Sequence, residues 1–134
     1  MQAGFAFGVE RSVGNNSMNS KDCIFCKIIN KEIPAKIIAE SDDIFVIQDL
    51  HPKAPIHYLI LPKKHIVNIN YLDDKDLQYM TEIAKMTRDL AKEIQQEKGL
   101  TDPLAFNLLS NNEAAAGQSV FHMHFHFISG KNLY

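Results

Sequence analysis

The residues that could do chemistry crowd toward the C-terminus, in the run Val120-Phe121-His122-Met123-His124-Phe125-His126-Phe127-Ile128. Strict alternation predicts a strand with Phe121, Met123, Phe125 and Phe127 on one face and three imidazoles on the other. One histidine alone is an ordinary core or surface ring. Three in register are different: a core would not choose three titratable rings, and a solvated strand face would mix in Thr, Lys or Glu. Neighbouring histidines on such a face stand about 6.6–6.8 Å apart, and the outer pair roughly 13 Å, too far for one ion to take all three. Division of labour is the alternative, with one imidazole as nucleophile and its neighbours as anion donors and orienting partners. That suits phosphoryl chemistry, where the protein positions the group and stabilises its spread charge.

A second cluster is half visible. Cys23 and Cys26 are the only cysteines, and Cys-x-x-Cys has metal-ligand spacing, although two thiols make only half a site. The redox reading wants a thioredoxin-like βαβ context, which the pattern lacks. Two buried reduced thiols are the plain alternative. Two cysteines so close together cannot frame a disulfide-stapled domain, so the expected address is the cytoplasm.

These residues need a scaffold. Residues 1–20, punctuated by Gly4, Gly8, Gly14 and the Asn15-Asn16 pair, show no period and read as a flexible leader before a domain over 21–134. Cys23 to Ile29 reads as a short helical turn. Ala35–Glu40 and Ile44–Asp49 form a hairpin about Ser41-Asp42-Asp43, and His57–Leu61 is a third strand stopped by Pro62. Asp73–Lys98 is the one long helix, with Leu77, Met80, Ile83, Ala84, Leu90, Ala91 and Ile94 as its apolar stripe and Asp73, Asp74 and Asp76 at its start. Leu104–Leu109 and Ser119–Ile128 complete the strands. The expectation is an α+β domain: a mainly antiparallel five-stranded sheet, one long helix and a short N-terminal helical turn.

Composition sets the limits. In 134 residues, 46% are hydrophobic and 22% charged, which suits one globular domain. A formal charge of −2 argues against a nucleic-acid partner, and no apolar run reaches the length of a membrane span.

Several motifs together resemble one family. His122-Met123-His124-Phe125-His126-Phe127-Ile128 is similar to the signature of the histidine triad (HIT) superfamily. Cys23-Ile24-Phe25-Cys26-Lys27-Ile28-Ile29, Lys31-Glu32-Ile33-Pro34-Ala35-Lys36, Asp49, Pro52-Lys53-Ala54-Pro55-Ile56-His57 and Pro62-Lys63-Lys64-His65-Ile66 resemble its nucleotide-binding, purine nucleoside phosphoramidase branch. The likeness runs from Asp22 to Gly130. It implies a protein that binds a purine nucleoside monophosphate and hydrolyses its phosphoramidates at the phosphorus–nitrogen bond. His124 would attack the α-phosphorus, His126 would hold a phosphate oxygen, and His57 would complete the cluster. Gly117, Gln118 and Ser119 match the phosphate turn, with Ser119 also helping to deliver a proton to the leaving group. Asp49 resembles the ribose-binding acid, Phe25, Ile28 and Leu50 the walls of the base slot, and Asn111 a polar contact near the phosphate. The ordinary readings are a turn residue for Asp49 and plain core for Phe25 and Ile28.

The resemblance also completes the cysteine cluster, since some relatives bind zinc through such a pair, the histidine of Pro-Lys-Lys-His and the first triad histidine. Here those are His65 and His122. Four protein ligands make a closed, structural zinc site, and catalysis would need no cofactor. One departure stands out: Asn112-Glu113-Ala114-Ala115-Ala116 replaces a glycine-rich loop, where alanines adopt positive φ only at a cost. Other readings are a dinucleoside polyphosphate hydrolase, a nucleotide-binding regulatory protein with vestigial activity, and a zinc-ordered structural module. The resemblance implies a homodimer, and the ungated apolar strand Leu104–Leu109 agrees, because such an edge invites pairing.

Overall fold

The computed structural model describes residues 20–134, so the expected leader lies outside the described residues apart from Ser20. The regular elements are α1 (Ile24–Ile29), β1 (Ile37–Glu40), β2 (Ile44–Gln48), β3 (Ile56–Pro62), α2 (Gln78–Glu97), β4 (Phe106–Leu109) and β5 (Phe125–Ser129). The five strands form one sheet in the order β1-β2-β3-β5-β4, and every pairing is antiparallel. The α+β expectation holds.

Alternation divides the core between two faces. Ile44 and Val46 of β2, Ile56 and Ile60 of β3, and Phe127 of β5 pack with Ile83, Leu90 and Ile94 of α2. Phe45, Ile47, Leu59 and Leu61 point the other way and pack with Cys23 and with Phe25, Cys26 and Ile28 of α1. A strand buried on both faces reads as a continuous apolar run, which is what Ile44–Ile47 is. His57 and His126 project from the α1 face, so the small helix and not the long one shelters the chemistry.

Two expectations about α2 change. The helix begins at Gln78, and Asp74–Asp76 forms a separate 3₁₀ turn before it. The acids therefore do not stabilise the first turn of the helix; Asp76 is buried and takes the Lys64 ammonium on both carboxylate oxygens, at 2.9 and 3.0 Å. The buried stripe is Ile83, Thr87, Leu90 and Ile94, spaced by four, three and four, while Leu77 and Ala84 are exposed. Thr87 fits there because its hydroxyl donates to the carbonyl of Ile83 at 2.7 Å. Among the described residues no helix is long and apolar enough to cross a membrane.

Candidate active site and metal centre

The last strand is shorter than the alternation predicts. Pairing of β3 with β5 ends at Ile60 opposite Phe125, so Ser119–His124 leaves the sheet. The reason lies at Pro62, which has no N–H to offer a continued ladder. Met123 donates instead to the carbonyl of Ile66 at 2.6 Å, outside the sheet. The side of the sheet is nevertheless kept: Met123, Phe125 and Phe127 pack into the α2 core, while Phe25 of α1 touches the rings of His122 and His124, and His124 touches His126. His126 lies in the sheet beside Leu59, His124 sits at its end, and His122 is buried completely.

The bonds around each ring decide where its proton sits. The Lys53 backbone N–H donates to Nδ1 of His57 at 3.1 Å, which leaves the His57 proton on Nε2. That Nε2 stands 2.9 Å from Nδ1 of His126 and 3.4 Å from a carboxylate oxygen of Asp49. Nδ1 of His126 accepts, so its own proton is carried on Nε2. Nδ1 of His124 lies 2.7 Å from the carbonyl oxygen of His122, which can only accept, so His124 keeps its proton there and a lone pair on Nε2. Phe25 packs edge-on against the His124 ring, with centroids 5.0 Å apart.

Burial holds these rings neutral. It pulls His124 below the ordinary imidazole range, against the opposing pull of the His122 carbonyl. Burial, with the neighbouring His124 and His57, brings His126 down to about 4. His57 is lowered by burial, partly offset by the Asp49 carboxylate. The group is thus a neutral donor chain beside an unprotonated imidazole nitrogen.

The cysteines meet the other two histidines of the predicted set. Cys23 caps α1, with Sγ accepting from the Cys26 N–H, and both thiols are free and buried. Sγ of Cys23 lies 3.4 Å from Nδ1 of His122; Sγ of Cys26 lies 3.5 Å from the same nitrogen and 3.3 Å from Nδ1 of His65. All four donor atoms fall within 4.8 Å of one another. A tetrahedral zinc with bonds of about 2.3 Å to sulfur and ~2.0–2.1 Å to nitrogen separates S and N by about 3.5 Å, so the spacing fits. The tautomer fits too. Nε2 of His122 stands 2.7 Å from the Pro62 carbonyl oxygen, so it donates there and turns Nδ1 toward the thiols. Burial raises the Cys23 thiol, but the adjoining His122 and His65 rings outweigh it and bring it down to about 5. Burial and the Cys23 charge push Cys26 up to about 12, so the pair readily carries one thiolate.

A third cluster orders the turn before the triad. The alanines of 114–116 form a 3₁₀ turn without positive φ; the left-handed conformations fall instead on Glu113, at φ 82°, and Gly117, at φ 100°. Glu113 is held there from several sides. Its carboxylate accepts from Asn68 and Asn70 at 3.0 and 3.1 Å, and its N–H donates to the Gln118 amide oxygen at 2.8 Å. Gln118 turns inward, accepting from buried Asn68 at 2.9 Å and donating to the carbonyls of Val67 and Val120. Its side chain is therefore spent on the protein and cannot also hold a phosphate.

Of the remaining predicted residues, Ser119 is exposed beside the turn and Asn111 packs next to Gly117. Phe25 and Ile28 are buried, and the Phe25 ring touches those of His122 and His124. Leu50 is 71% exposed. Asp49 is brought to His57 and accepts from the His51 N–H at 2.8 Å.

Comparison with known proteins gives this geometry its family. Residues 22–133 match the family described as scavenger mRNA decapping enzyme C-term binding. An uncharacterized HIT-like protein of Rickettsia prowazekii is 38% identical over 116 residues, covering 87% of this chain and 93% of its own length. The chain belongs to the histidine triad (HIT) family. Two solved structures agree in fold. A HIT family hydrolase from Clostridium thermocellum superposes with a TM-score of 0.75 at 36% identity, over 85% of this chain and 95% of its own. A histidine triad nucleotide-binding protein from Candida albicans gives 0.70 at 34%, over 82% and 76%.

Three participants escaped sequence reasoning in this HIT domain. The Lys53 N–H and the Pro62 carbonyl are backbone groups, which sequence does not distinguish from any others. Asn68 is a lone amide with no repeat or spacing to mark it.

Proposed function

We propose that this HIT protein is a hydrolase that cleaves the phosphorus–nitrogen bond of purine nucleoside phosphoramidates through a nucleotidyl-histidine intermediate. The observation that carries the reading is the tautomer of His124, whose Nδ1 is tied to the His122 carbonyl and whose Nε2 lone pair is available for attack. Nε2 forms a bond to the α-phosphorus as the bond to nitrogen breaks, and the amine leaves with a proton that Ser119 helps to deliver. Nε2–H of His126, supported by the chain from His57 and the Lys53 N–H, donates to a phosphate oxygen as charge grows there. Water then attacks the phosphorus; its hydroxyl stays on the nucleotide, its remaining proton replaces the one delivered to the amine through Ser119, and Nε2 is released. Asp49 holds the ribose hydroxyls, with the base against Phe25 and Ile28. The phosphate rests on the backbone and hydroxyl of the Gly117–Ser119 turn, Gln118 serving by bracing it.

Zinc belongs to this reading as a structural ion on Cys23, Cys26, His65 and His122, tying α1 to the chain around the nucleophile; when bound it supplies cross-linking, and no chemical step passes through it. A homodimer and a cytoplasmic setting complete the proposal, supported by Phe106 and Leu108 standing exposed on the edge strand β4 and by a thiol pair suited to a reducing compartment.

The test is single-turnover mixing with an adenosine phosphoramidate bearing a fluorescent amine, with His124→Ala alongside. Amine release and a trapped nucleotidyl-histidine, both lost in the variant, are the expected result. Adenosine monophosphate binding without release would turn the reading toward a dinucleoside polyphosphate hydrolase or a binding protein. Absence of both release and binding would overturn it.

A further inference from the structure

The segment that carries the nucleophile is fastened from two sides. His124 lies one residue outside β5, beyond the last register pairs of the sheet, Ile60 with Phe125 and Leu109 with His126. On one side the Met123 N–H donates to the Ile66 carbonyl at 2.6 Å. On the other the carbonyl oxygen of His124 accepts from the hydroxyl of Ser110 at 2.7 Å. Ser110 is the first residue after β4, where the chain sets out toward the turn at Gly117–Ser119. Its own carbonyl accepts from Nδ2 of Asn112 at 3.4 Å, and Oδ1 of Asn112 accepts from the Ile69 N–H at 2.8 Å. One short side chain therefore joins the backbone of the nucleophile to the loop that enters the phosphate turn.

That junction bears on the reaction. The bond from Nδ1 of His124 to the His122 carbonyl stays within one segment, so it orients the ring without placing it against the turn. Attack needs the reacting atoms about 3–3.5 Å apart and aligned, and a misplacement of about 1 Å costs roughly 10²-fold. We propose that Ser110 is a positioning residue: its bond to the His124 carbonyl sets where Nε2 stands relative to the phosphorus held by the turn. The proposal rests on the reading of His124 as the nucleophile and deepens it. Ser110 acts on the main chain of His124, so its loss slows attack without weakening nucleotide binding.

The fold supplies a matched control. The hydroxyl of Ser129, at the far end of β5, donates to the carbonyl of Ala105, just before β4, also at 2.7 Å. Both bonds tie an end of β5 to an end of β4, and only one reaches the nucleophile. Single-turnover amine release at saturating adenosine phosphoramidate gives the rate of attack, and calorimetry gives the affinity for adenosine monophosphate. Ser110→Ala should lower the rate roughly 5–50-fold and leave the affinity within about twofold. Ser129→Ala should lower the denaturant midpoint by a similar amount with no loss of rate. Ser110→Thr and Ser110→Val share a shape and differ in the hydroxyl, so the first keeps most of the rate and the second loses it. The positioning role is overturned by an unchanged rate in Ser110→Ala, by an equal loss in Ser129→Ala, or by a loss of affinity that matches the loss of rate. Ser110→Thr no faster than Ser110→Val overturns it as well, and each of these leaves the nucleophile assignment standing. No amine release from the wild type overturns the reading of His124 and the positioning role with it.

Discussion

His122 and His124 are two residues apart, yet backbone carbonyls fix them in opposite states. Pro62 accepts from Nε2 of His122 and aims Nδ1 at two thiols, whereas the carbonyl of His122 accepts from Nδ1 of His124 and frees Nε2 for attack. Distance alone does not separate the two clusters. Asp49, His57 and His126 also bring their ligand atoms within 4.8 Å of one another, as the cysteine cluster does. Their protons separate them. With Lys53 N–H on Nδ1, His57 must carry a proton on Nε2, where a metal would need a lone pair. One cluster is set to bind a cation and the other to pass hydrogen bonds to an anion.

The sharpest break in that comparison is His124→Ala. It removes the only imidazole with a free Nε2 lone pair beside the turn and should lower single-turnover amine release by about 10⁴-fold or more. The fold should remain, because the metal centre is untouched; circular dichroism and metal content check this. Cys23→Ser strikes the other cluster. Metal analysis should show loss of the bound ion, and amine release should fall roughly 10–100-fold, the usual cost of disturbing a supporting shell, here the chain that carries the His122 carbonyl. An unchanged rate would show that the clusters are independent.

pH separates them in another way. His57, His124 and His126 are all depressed in the fold, His126 to about 4 from an ordinary value of 6.5. Between those values the unfolded chain binds more protons than the folded one, so stability rises with pH across the window. Denaturant titrations at pH 7, 6 and 5 should show falling midpoints, with no contribution from these rings above pH 7. A flat profile would contradict the neutral-imidazole assignment.

The smallest effects test the turn between the clusters. Asn68→Ala leaves the Gln118 amide oxygen and the Glu113 carboxylate each short of a donor and should cost about 1–3 kcal/mol by chemical denaturation. At Glu113 the order matters more than the size. Glu113→Ala keeps the strained φ and loses the bonds, whereas Glu113→Gly loses the bonds but relieves roughly 1 kcal/mol or more of strain, so the glycine variant should be the more stable. The reverse order would mean that φ 82° costs little here.

Much of this was legible in advance. The strands Ile44–Gln48 and Ile56–Pro62 announced themselves by β-branched runs bounded by turn residues and proline. The helix stripe was visible, although Thr87 was missed because its fitness depends on a hydroxyl bond to the preceding turn. The site was legible as a list of residue types. It was less legible as a geometry: alternation rightly set the histidines opposite the α2 core, but the ladder ends at Pro62, so only His126 lies in a strand. The alanine loop was misjudged for a related reason, since the strain moved to Glu113, where Asn68, Asn70 and Gln118 hold it.

By itself the sequence determined which groups exist and their local periods: three imidazoles alternating with apolar side chains, two thiols three apart, and strands that must bury both faces. Those follow from the residues and from backbone geometry along a single segment. Only the tertiary structure decided which nitrogen of each imidazole carries the proton, because the deciding partners — Pro62, Lys53 and the turn that frees the His122 carbonyl — are backbone groups brought close by folding. Any residue supplies such groups, so no residue type could have foretold them.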